Sequence, residues 1–505
     1  MTTLPLLTGL IALPLAGGIA LLLTKPAQEK LARAIGLATS LLALLIVGVI
    51  WSGFDRTSGG MQWVEQAAWA PSIGIEYHLG VDGISLLMLL LTTLLVPFSL
   101  LASWKISRQP KLYFALTLFL ESGLLGTFTA LNFIHWFLFW ELSLIPAFFL
   151  IKIWGGPKAG AAAFQFFLYT MVGSVALLVA FLAIYAATNT FDFGQLAGLA
   201  AHGEIFGAHQ RLAGAIFLAA LLGFAVKVPL LPFHSWLPAA YAEAPTGASM
   251  LLTGAMSKMG VYGFLRILLP IFPEQMRAAQ TPLLWLAVAT IVFPAAAAFA
   301  QRDLKRMVAY SSINHLGYCL LGIIAATRLT PGGMDFTNEK AAALNGVVLQ
   351  MFSHGLTAAA LFYFVGLIEE RAGGLRCLHD FGGLRQVAPV FCGLMGITVF
   401  ASLGLPGLGG FVGEFLIFKG ALPLASWAAA IATLGLLFTA IFLLTILQRV
   451  FAGPLPGKWS HWRDLSAAER WCVAPVIGLI FILGILPQAV LDVTNPTVLH
   501  LLQQF

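Results

Sequence analysis

Charge is what this sequence has least of. Of its 505 residues only 10% are Asp, Glu, Lys or Arg, against about 25% in soluble domains. That shortage excludes an ordinary water-soluble enzyme surface. With 59% hydrophobic residues and a mean hydropathy of +0.91, the chain is built for lipid. Cysteine is scarce too: Cys319, Cys377, Cys392 and Cys472 are scattered, with no CxxC spacing, which argues against a metal site or cluster and for helix-packing thiols. There is no Gly-rich nucleotide loop and no haem motif, so the expectation is a chain with no cofactor, no metal and no redox centre of its own. The N-terminus lacks the basic region and clear cleavage site of a signal peptide, so the first apolar stretch reads as retained. No polar stretch is long enough for a separate soluble domain.

What remains is a succession of apolar runs. A spanning helix takes about 20 such residues, and windows of that size fall near 4–24, 32–51, 80–103, 112–131, 133–151, 162–187, 212–237, 246–269, 281–300, 306–326, 341–368, 387–418, 424–451 and 471–489. The expected fold class is therefore an all-α polytopic membrane protein of about fourteen transmembrane helices. Lys and Arg set the orientation, because inner loops hold an excess of them. With the N-terminus outside, the inner loops carry 18 basic residues and the outer ones 7; Lys227 and Lys258 make up the 27. The net charge of +6 thus follows from topology and requires no nucleic-acid partner. The polar stretch from Asp55 to Tyr77 reads as an external element that contacts a neighbouring protein.

Two stretches cannot form regular helices. Lys227-Val-Pro229-Leu-Leu-Pro232 places two prolines where they would free the carbonyls of Ala225 and Val228. Gly404-Leu-Pro406-Gly407-Leu-Gly409-Gly410-Phe-Val-Gly413-Glu414 is the second. Breaks within a bilayer are tolerated where they are buried in protein or line a cavity. These fall in the seventh and twelfth spans, and paired breaks point to an inverted-repeat transporter. The resulting division is 1–111 for three spans with the external segment 52–78, 112–270 for a first five-helix unit, 281–451 for a second, inverted unit, and 452–505 for the last span.

Ionisable residues lie beside both breaks and at mid-span. Glu141 is central in its run, Lys227 lies at the first break, Lys258 lies midway along its span, and Glu414 follows the second break. A charge at such depth costs several kcal/mol or more, so it faces a protein interior or a water path. Glu141 and Lys227 read as a switch: together both are charged, apart the lysine releases its proton. His234, His315 and His354 are placed to bridge such groups, since imidazole titrates near neutrality. Each histidine alone would pass for a packing residue. With two lysines and two glutamates they read as a chain of proton carriers. Glu121 is a weaker candidate, His135 is given no role, and Asp303 is a candidate cap for the tenth span.

Several segments carry a family resemblance: Leu79-Gly-Val-Asp-Gly-Ile-Ser85, Phe139-Trp-Glu-Leu-Ser-Leu-Ile-Pro146, Lys227-Val-Pro229, His234-Ser-Trp-Leu-Pro238, Glu243-Ala-Pro-Thr-Gly-Ala-Ser249, Ala309-Tyr-Ser-Ser-Ile-Asn-His315, Ser353-His-Gly-Leu356 and Gly410-Phe-Val-Gly-Glu-Phe415. On these the chain resembles the subunit M (chain 4) family of antiporter-like subunits of proton-translocating NADH:quinone oxidoreductase, respiratory complex I. The resemblance implies fourteen helices, two inverted five-helix repeats, and helices seven and twelve broken. It places Glu141, Lys227, Lys258 and Glu414 at the key charged positions and His315 and His354 on the polar central axis. It implies a non-redox, proton-translocating subunit, driven by redox chemistry elsewhere. Its partners would be other membrane-arm subunits, neighbouring antiporter-like subunits among them, in a bacterial inner membrane or equivalent energy-transducing membrane. Lys419 stands where relatives are mostly apolar. The alternatives are an Mrp-type sodium/proton antiporter subunit, which shares the lysines and glutamates, and a scaffold whose charges only hold helices together.

Overall fold

The computed structural model describes residues 5–25, 28–207, 210–329 and 335–504. The first residue of the expected opening span, residue 4, lies outside them. The chain opens with α1 (Leu6–Leu23) and α2 (Glu29–Ser52), then turns into an antiparallel hairpin of β1 (Gln62–Ala70) and β2 (Ile75–Val81). Next come α3 (Gly83–Ala102), α4 (Pro110–Thr129), α5 (Phe133–Trp154), α6 (Ala159–Thr188), the short α7 (Phe193–Ala201), α8 (Gln210–Lys227) and α9 (Trp236–Glu243). A helix interrupted by two π-helical turns follows as α10 (Thr246–Leu251), α11 (Ser257–Gly263) and α12 (Leu269–Ile271), and then the short α13 (Pro273–Ala278). The second half holds α14 (Gln280–Ala300), α15 (Leu304–Ala326), α16 (Thr337–Arg371), α17 (Pro389–Ser402), α18 (Gly409–Leu424), α19 (Ser426–Phe451), α20 (Ala467–Ile485) and α21 (Gln488–Leu502).

Among the described residues, eleven helices are long and apolar enough to cross a membrane: α1 to α6, α14, α15, α16, α19 and α20. The expected seventh and twelfth spans are instead each two helices, α8/α9 and α17/α18, with breaks where the sequence placed them. The helices are not equivalent. The most apolar stretch of α16 is 100% buried and that of α20 only 28%. Lipid-facing helices present large apolar side chains outward, such as Leu45, Val179, Leu437 and Ile485, because lipid gives no reason to hide them. Polar residues collect at the centre, on α15 and α16, where neighbouring helices supply their partners.

Local chemistry sets the ends. Asp82 caps α3 by accepting from the Ser85 N–H, Asn132 caps α5 through Ile134, and Asp303 caps α15 through Arg306, as its position suggested. In the second break Gly404 and Gly407 take φ of +73° and +91°, a region where a Cβ is disfavoured. At the first break the expectation needs correction. The carbonyl of Ala225 is not freed, because Leu230 N–H donates to it at 2.8 Å. The tight turn allowed by the prolines brings a later N–H back onto it.

The external segment is also held against the chain itself. It folds as the β1/β2 hairpin on the chain's own helices: the Glu65 carboxylate accepts from the N–H groups of Leu7 and Thr8 at 2.7 and 3.0 Å, capping α1. Beside it, Gly83 N–H donates to Thr497 Oγ1 at 3.0 Å, tying α3 to α21. A Cβ on Gly83 would lie 2.0 Å from the Val493 carbonyl oxygen, so only glycine permits that approach. The hairpin and α21 together close one end of the bundle.

Candidate functional site

At the centre, four side chains from four helices form a line. Lys258, fully buried on α11, donates from Nζ to Nδ1 of His354 on α16 at 2.9 Å. His354 faces His315 of α15, their ring centroids 5.0 Å apart. His315 Nδ1 lies 3.0 Å from Oε1 of Glu414 on α18. All four are buried. A charged ammonium only donates, so His354 Nδ1 carries its lone pair in this arrangement; a carboxylate only accepts, so His315 Nδ1 carries its proton. The line thus has a positive end, a negative end and two imidazoles that accept and release protons between them.

The second break and the π turns set this geometry. A π turn misaligns the regular helix ladder, and such turns recur at functional sites. Residues Leu252–Met256 form one immediately before Lys258, and the Thr253 carbonyl accepts from Lys258 Nζ at 2.6 Å, with Ser257 Oγ at 3.3 Å. The sequence reading treated this span as a regular helix; its glycines mark the close packing instead. A Cβ on Gly254 would strike Leu95, and one on Gly260 would strike Val228. Across the line, the break before α18 lets Glu414 enter the core at the helix's first turns.

Other members escaped the sequence. Gln350 sits one turn before His354 on α16; its Nε2 lies 3.3 Å from both His315 Nδ1 and Glu414 Oε1 and donates to the carboxylate. Ser402, the last residue of α17, meets His315 Nε2 at 3.2 Å. Gln350 could have been found from its i, i+4 relation to His354, whereas Ser402 arrives only through the break. Asn314, next to His315, is spent on packing: it donates to the Ile291 and Gly435 carbonyls and Thr439 Oγ1.

The first break is arranged differently. Lys227 ends α8, buried, with Nζ 4.6 Å from the ring centroid of Trp140. Among the described residues no carboxylate lies within ion-pair distance of it, so the expected Glu141–Lys227 pair is not formed in this arrangement. Glu141 Oε1 is buried without a hydrogen-bond partner, one residue beyond the tryptophan that holds the ammonium. A cation over an indole face is attracted to the ring, which holds the ammonium in place without a carboxylate in contact. His234 is not drawn into the line either: it lies in the turn before α9 with Nδ1 unpartnered. Glu121, fully buried on α4, has neither carboxylate oxygen hydrogen-bonded. His135 is held at the hairpin, Nδ1 2.8 Å from the Glu76 carbonyl. Lys227 and Lys258 approach through backbone, Gly260 packing on Lys227 and Val228, with no polar side chain joining them among the described residues.

At the end opposite the hairpin lies an ion-pair network. Arg376 holds Asp303, Glu243 and Glu369 at 2.6, 3.0 and 3.2 Å, and Lys305 meets Glu369 at 2.6 Å. Clefts of about 510 Å³ flank it on both sides. Burial pulls on the Arg376 guanidinium, but Asp303 and Glu369 outweigh it and keep the group charged at any working pH.

No group of three or more His, Cys, Asp or Glu with metal-holding geometry occurs among the described residues. Residues 130–439 match the family model described as NADH:quinone oxidoreductase/Mrp antiporter, TM. The NADH-quinone oxidoreductase subunit M of Rhodobacter capsulatus is 37% identical, over 99% of this chain and 97% of that one. A chain of respiratory complex I from Thermus thermophilus superposes with a TM-score of 0.85 at 30% identity, covering 99% of both chains. A chain of the Mrp complex from Dietzia sp. DQ12-45-1b shares the fold, with a TM-score of 0.87 at 22% identity over 99% and 98% of the two chains. A full-length likeness of that extent, on a core built around paired breaks and buried charge, leaves one conclusion: the chain belongs to the NADH:quinone oxidoreductase/Mrp antiporter family of membrane proteins.

Proposed function

We propose that this chain is a membrane-arm subunit of a complex I-type quinone oxidoreductase, of the subunit M kind, and that it moves protons while other subunits carry out the redox chemistry. The observation that carries this is the buried line Lys258–His354–His315–Glu414. A purely structural role for these groups would favour closed ion pairs; here two imidazoles separate the opposite charges. In this reading a proton taken from Lys258 passes through His354 and His315 to Glu414. Lys227, over Trp140, supplies or withholds charge next to Lys258 according to whether Glu141 approaches it. His234 and Glu121 stay secondary members, since neither joins the line. Identities of 37% and 30% to the oxidoreductase chains, against 22% to the Mrp chain, favour this over an antiporter subunit.

The same reading takes the two breaks as equivalent positions in two inverted five-helix repeats of a fourteen-span fold. The distribution of Lys and Arg supports an outer-facing N-terminus and an energy-transducing membrane such as the bacterial inner membrane. Partners are the neighbouring membrane-arm subunits. The test is proton pumping coupled to quinone reduction in membranes carrying Lys258→Ala, with assembly of the whole complex checked alongside. Normal assembly with lost pumping is expected. Normal assembly with unchanged pumping would leave the buried charges as scaffold.

A further inference from the structure

The two clefts that flank the Arg376 network are equal in size and opposite in charge. One is lined by Lys105 and Lys305 against Glu243, Glu369 and Glu370. Both lysines are engaged, Lys105 with Glu370 at 2.7 Å and Lys305 with Glu369 at 2.6 Å. The other, also about 510 Å³, is lined by Lys158, Arg302, Arg306 and Arg376 against Glu243 and Asp303. Here the carboxylates are the groups already engaged. Glu243 accepts from Arg376 and from the Lys158 backbone N–H, at 3.0 Å each. Asp303 accepts from Arg376 at 2.6 Å and from the Arg306 backbone N–H at 3.0 Å. Among the described residues, no carboxylate lies within ion-pair distance of the Lys158, Arg302 or Arg306 side chains, and all three are exposed.

Membrane orientation does not account for this. It asks only that basic residues lie on the inner side; it does not gather three without partners around one concavity. Like charges held together repel, and a concave wall focuses their field, so the cleft favours an anion. Guanidinium forks match phosphate oxygens in a bidentate way. The surroundings of the cleft say what carries the phosphate. Its wall includes Gln165 near the start of α6 and Gln301 just past the end of α14. Beside them Phe164 and Phe299 are 62% and 53% exposed, and Leu168 continues the apolar face one turn further along α6. Large apolar groups placed there offer a surface to acyl chains, which are as apolar as they are. A free phosphate would use the cations and leave those side chains without a partner.

We propose that this cleft binds the headgroup of an anionic phospholipid of the inner leaflet. Its phosphate sits between Lys158, Arg302 and Arg306, and its acyl chains lie along Phe164, Leu168 and Phe299. Basic pockets between membrane helices on the inner side recognise headgroups in this way. Arg376 stays with its carboxylates. A zwitterionic lipid is disfavoured, because its ammonium would add a cation to a wall that already holds three unpaired ones. The site is separate from the buried line that ends at Glu414, so it stands or falls apart from the proton relay.

The test uses the assembled complex in mixed vesicles of phosphatidylcholine and phosphatidylglycerol. In one set the phosphatidylglycerol carries a photoactivatable acyl chain; in the other the phosphatidylcholine carries it, at equal mole fraction. Labelling is mapped to the peptides containing Phe164 and Phe299. The anionic probe should label them more than the zwitterionic one. That preference should fall about fivefold for each cation removed, the effect of a single basic residue near an anionic membrane surface. Lys158→Gln, Arg302→Gln and Arg306→Gln are read singly and together. Lys30→Gln, Arg385→Gln and Arg449→Gln, combined as a control, remove the same charge from other exposed inner-side positions and should leave the preference unchanged. Sodium phosphate should displace no more label than sodium chloride of the same ionic strength.

Equal labelling by the two probes overturns the proposal. So does the absence of label on both peptides, which would show that a neighbouring protein covers the cleft. An equal fall in the control variant would reduce the effect to general surface charge and overturn it too. Specific displacement by phosphate would make this a free-anion site and not a lipid site. The single variants keep the result decisive should the triple variant fail to assemble.

Discussion

His315 Nδ1 and Glu414 Oε1 lie 3.0 Å apart across the second break, both buried, with Gln350 donating to the same carboxylate oxygen. That relationship ties a helix end, a polar helix and an imidazole into one unit. Hydrogen bonds to a charged group contribute about 1.5–3 kcal/mol each. Glu414→Gln and His315→Gln should therefore be non-additive. A double-mutant cycle on thermal stability of the assembled complex is expected to give a coupling of about 1–3 kcal/mol; a coupling near zero would mean the contact is incidental.

His354 is the acceptor for the Lys258 ammonium. Replacing it with leucine leaves that ammonium only Thr253 and Ser257. The expected result is normal assembly with proton-coupled turnover down on the order of 10²-fold, the scale of a lost proton-transfer group. His354→Gln, which retains an acceptor but no titratable nitrogen, should restore stability without restoring turnover.

Lys227 lies over Trp140 rather than against Glu141. In the resting protein Lys227→Met and Glu141→Gln should then couple only through space, without a contact, by about 1 kcal/mol or less. Trp140→Leu should instead couple to Lys227→Met by roughly 1–2 kcal/mol, the scale of a desolvated cation–π contact. The reverse ordering would show that the ion pair is the ground state.

Arg376 is the shared partner of Asp303, Glu243 and Glu369. Arg376→Met would leave three carboxylates facing one another with only Lys305 to offset them. A loss of about 2–3 kcal/mol is expected, between the values for exposed and fully buried pairs. Reduced assembled complex in detergent extracts, partly recovered in Arg376→Lys, is the outcome to measure.

Asp192 is held below its ordinary pKa by His78 and Gln195 although burial works the other way. A depressed carboxyl stabilises the fold fully above the unfolded value of about 3.9 and loses that contribution as pH falls through the lower folded value. Hydrogen exchange of α7 should therefore accelerate on acidification only below about pH 4. Asp192→Asn should remove that acid-dependent step.

Much of the fold was legible before any coordinates. Runs of about 20 apolar residues declare spans because a bilayer leaves no water for unpaired backbone groups. Proline and glycine clusters declared both breaks, since their backbone effects are local. Mid-span charges pointed to Lys227, Lys258, His315, His354 and Glu414. Gln350 and Ser402 were missed: Gln350 carried only its i, i+4 relation to His354, and Ser402, a neutral polar residue at a helix end, bears no mark of whether it faces a functional partner or its own backbone. The π turns beside Lys258 were missed as well. Gly254, inside the first of them, sits where a Cβ would strike Leu95, a side chain distant in sequence. The hairpin was read as an external element, but its docking on α1 depends on where Glu65 meets two N–H groups.

Which residues are ionisable, how deep they lie and where helices must break were determined by the sequence alone, because burial cost and backbone sterics act within a single span. Which of those residues touch was decided only in three dimensions. Lys258 could have paired with any buried acceptor; helix packing put it on His354. Glu141 and Lys227 looked like a pair, and the Trp140 ring took the ammonium instead. Pairing depends on crossing angles and on ångström-scale approach between helices, and those come from packing over the whole bundle.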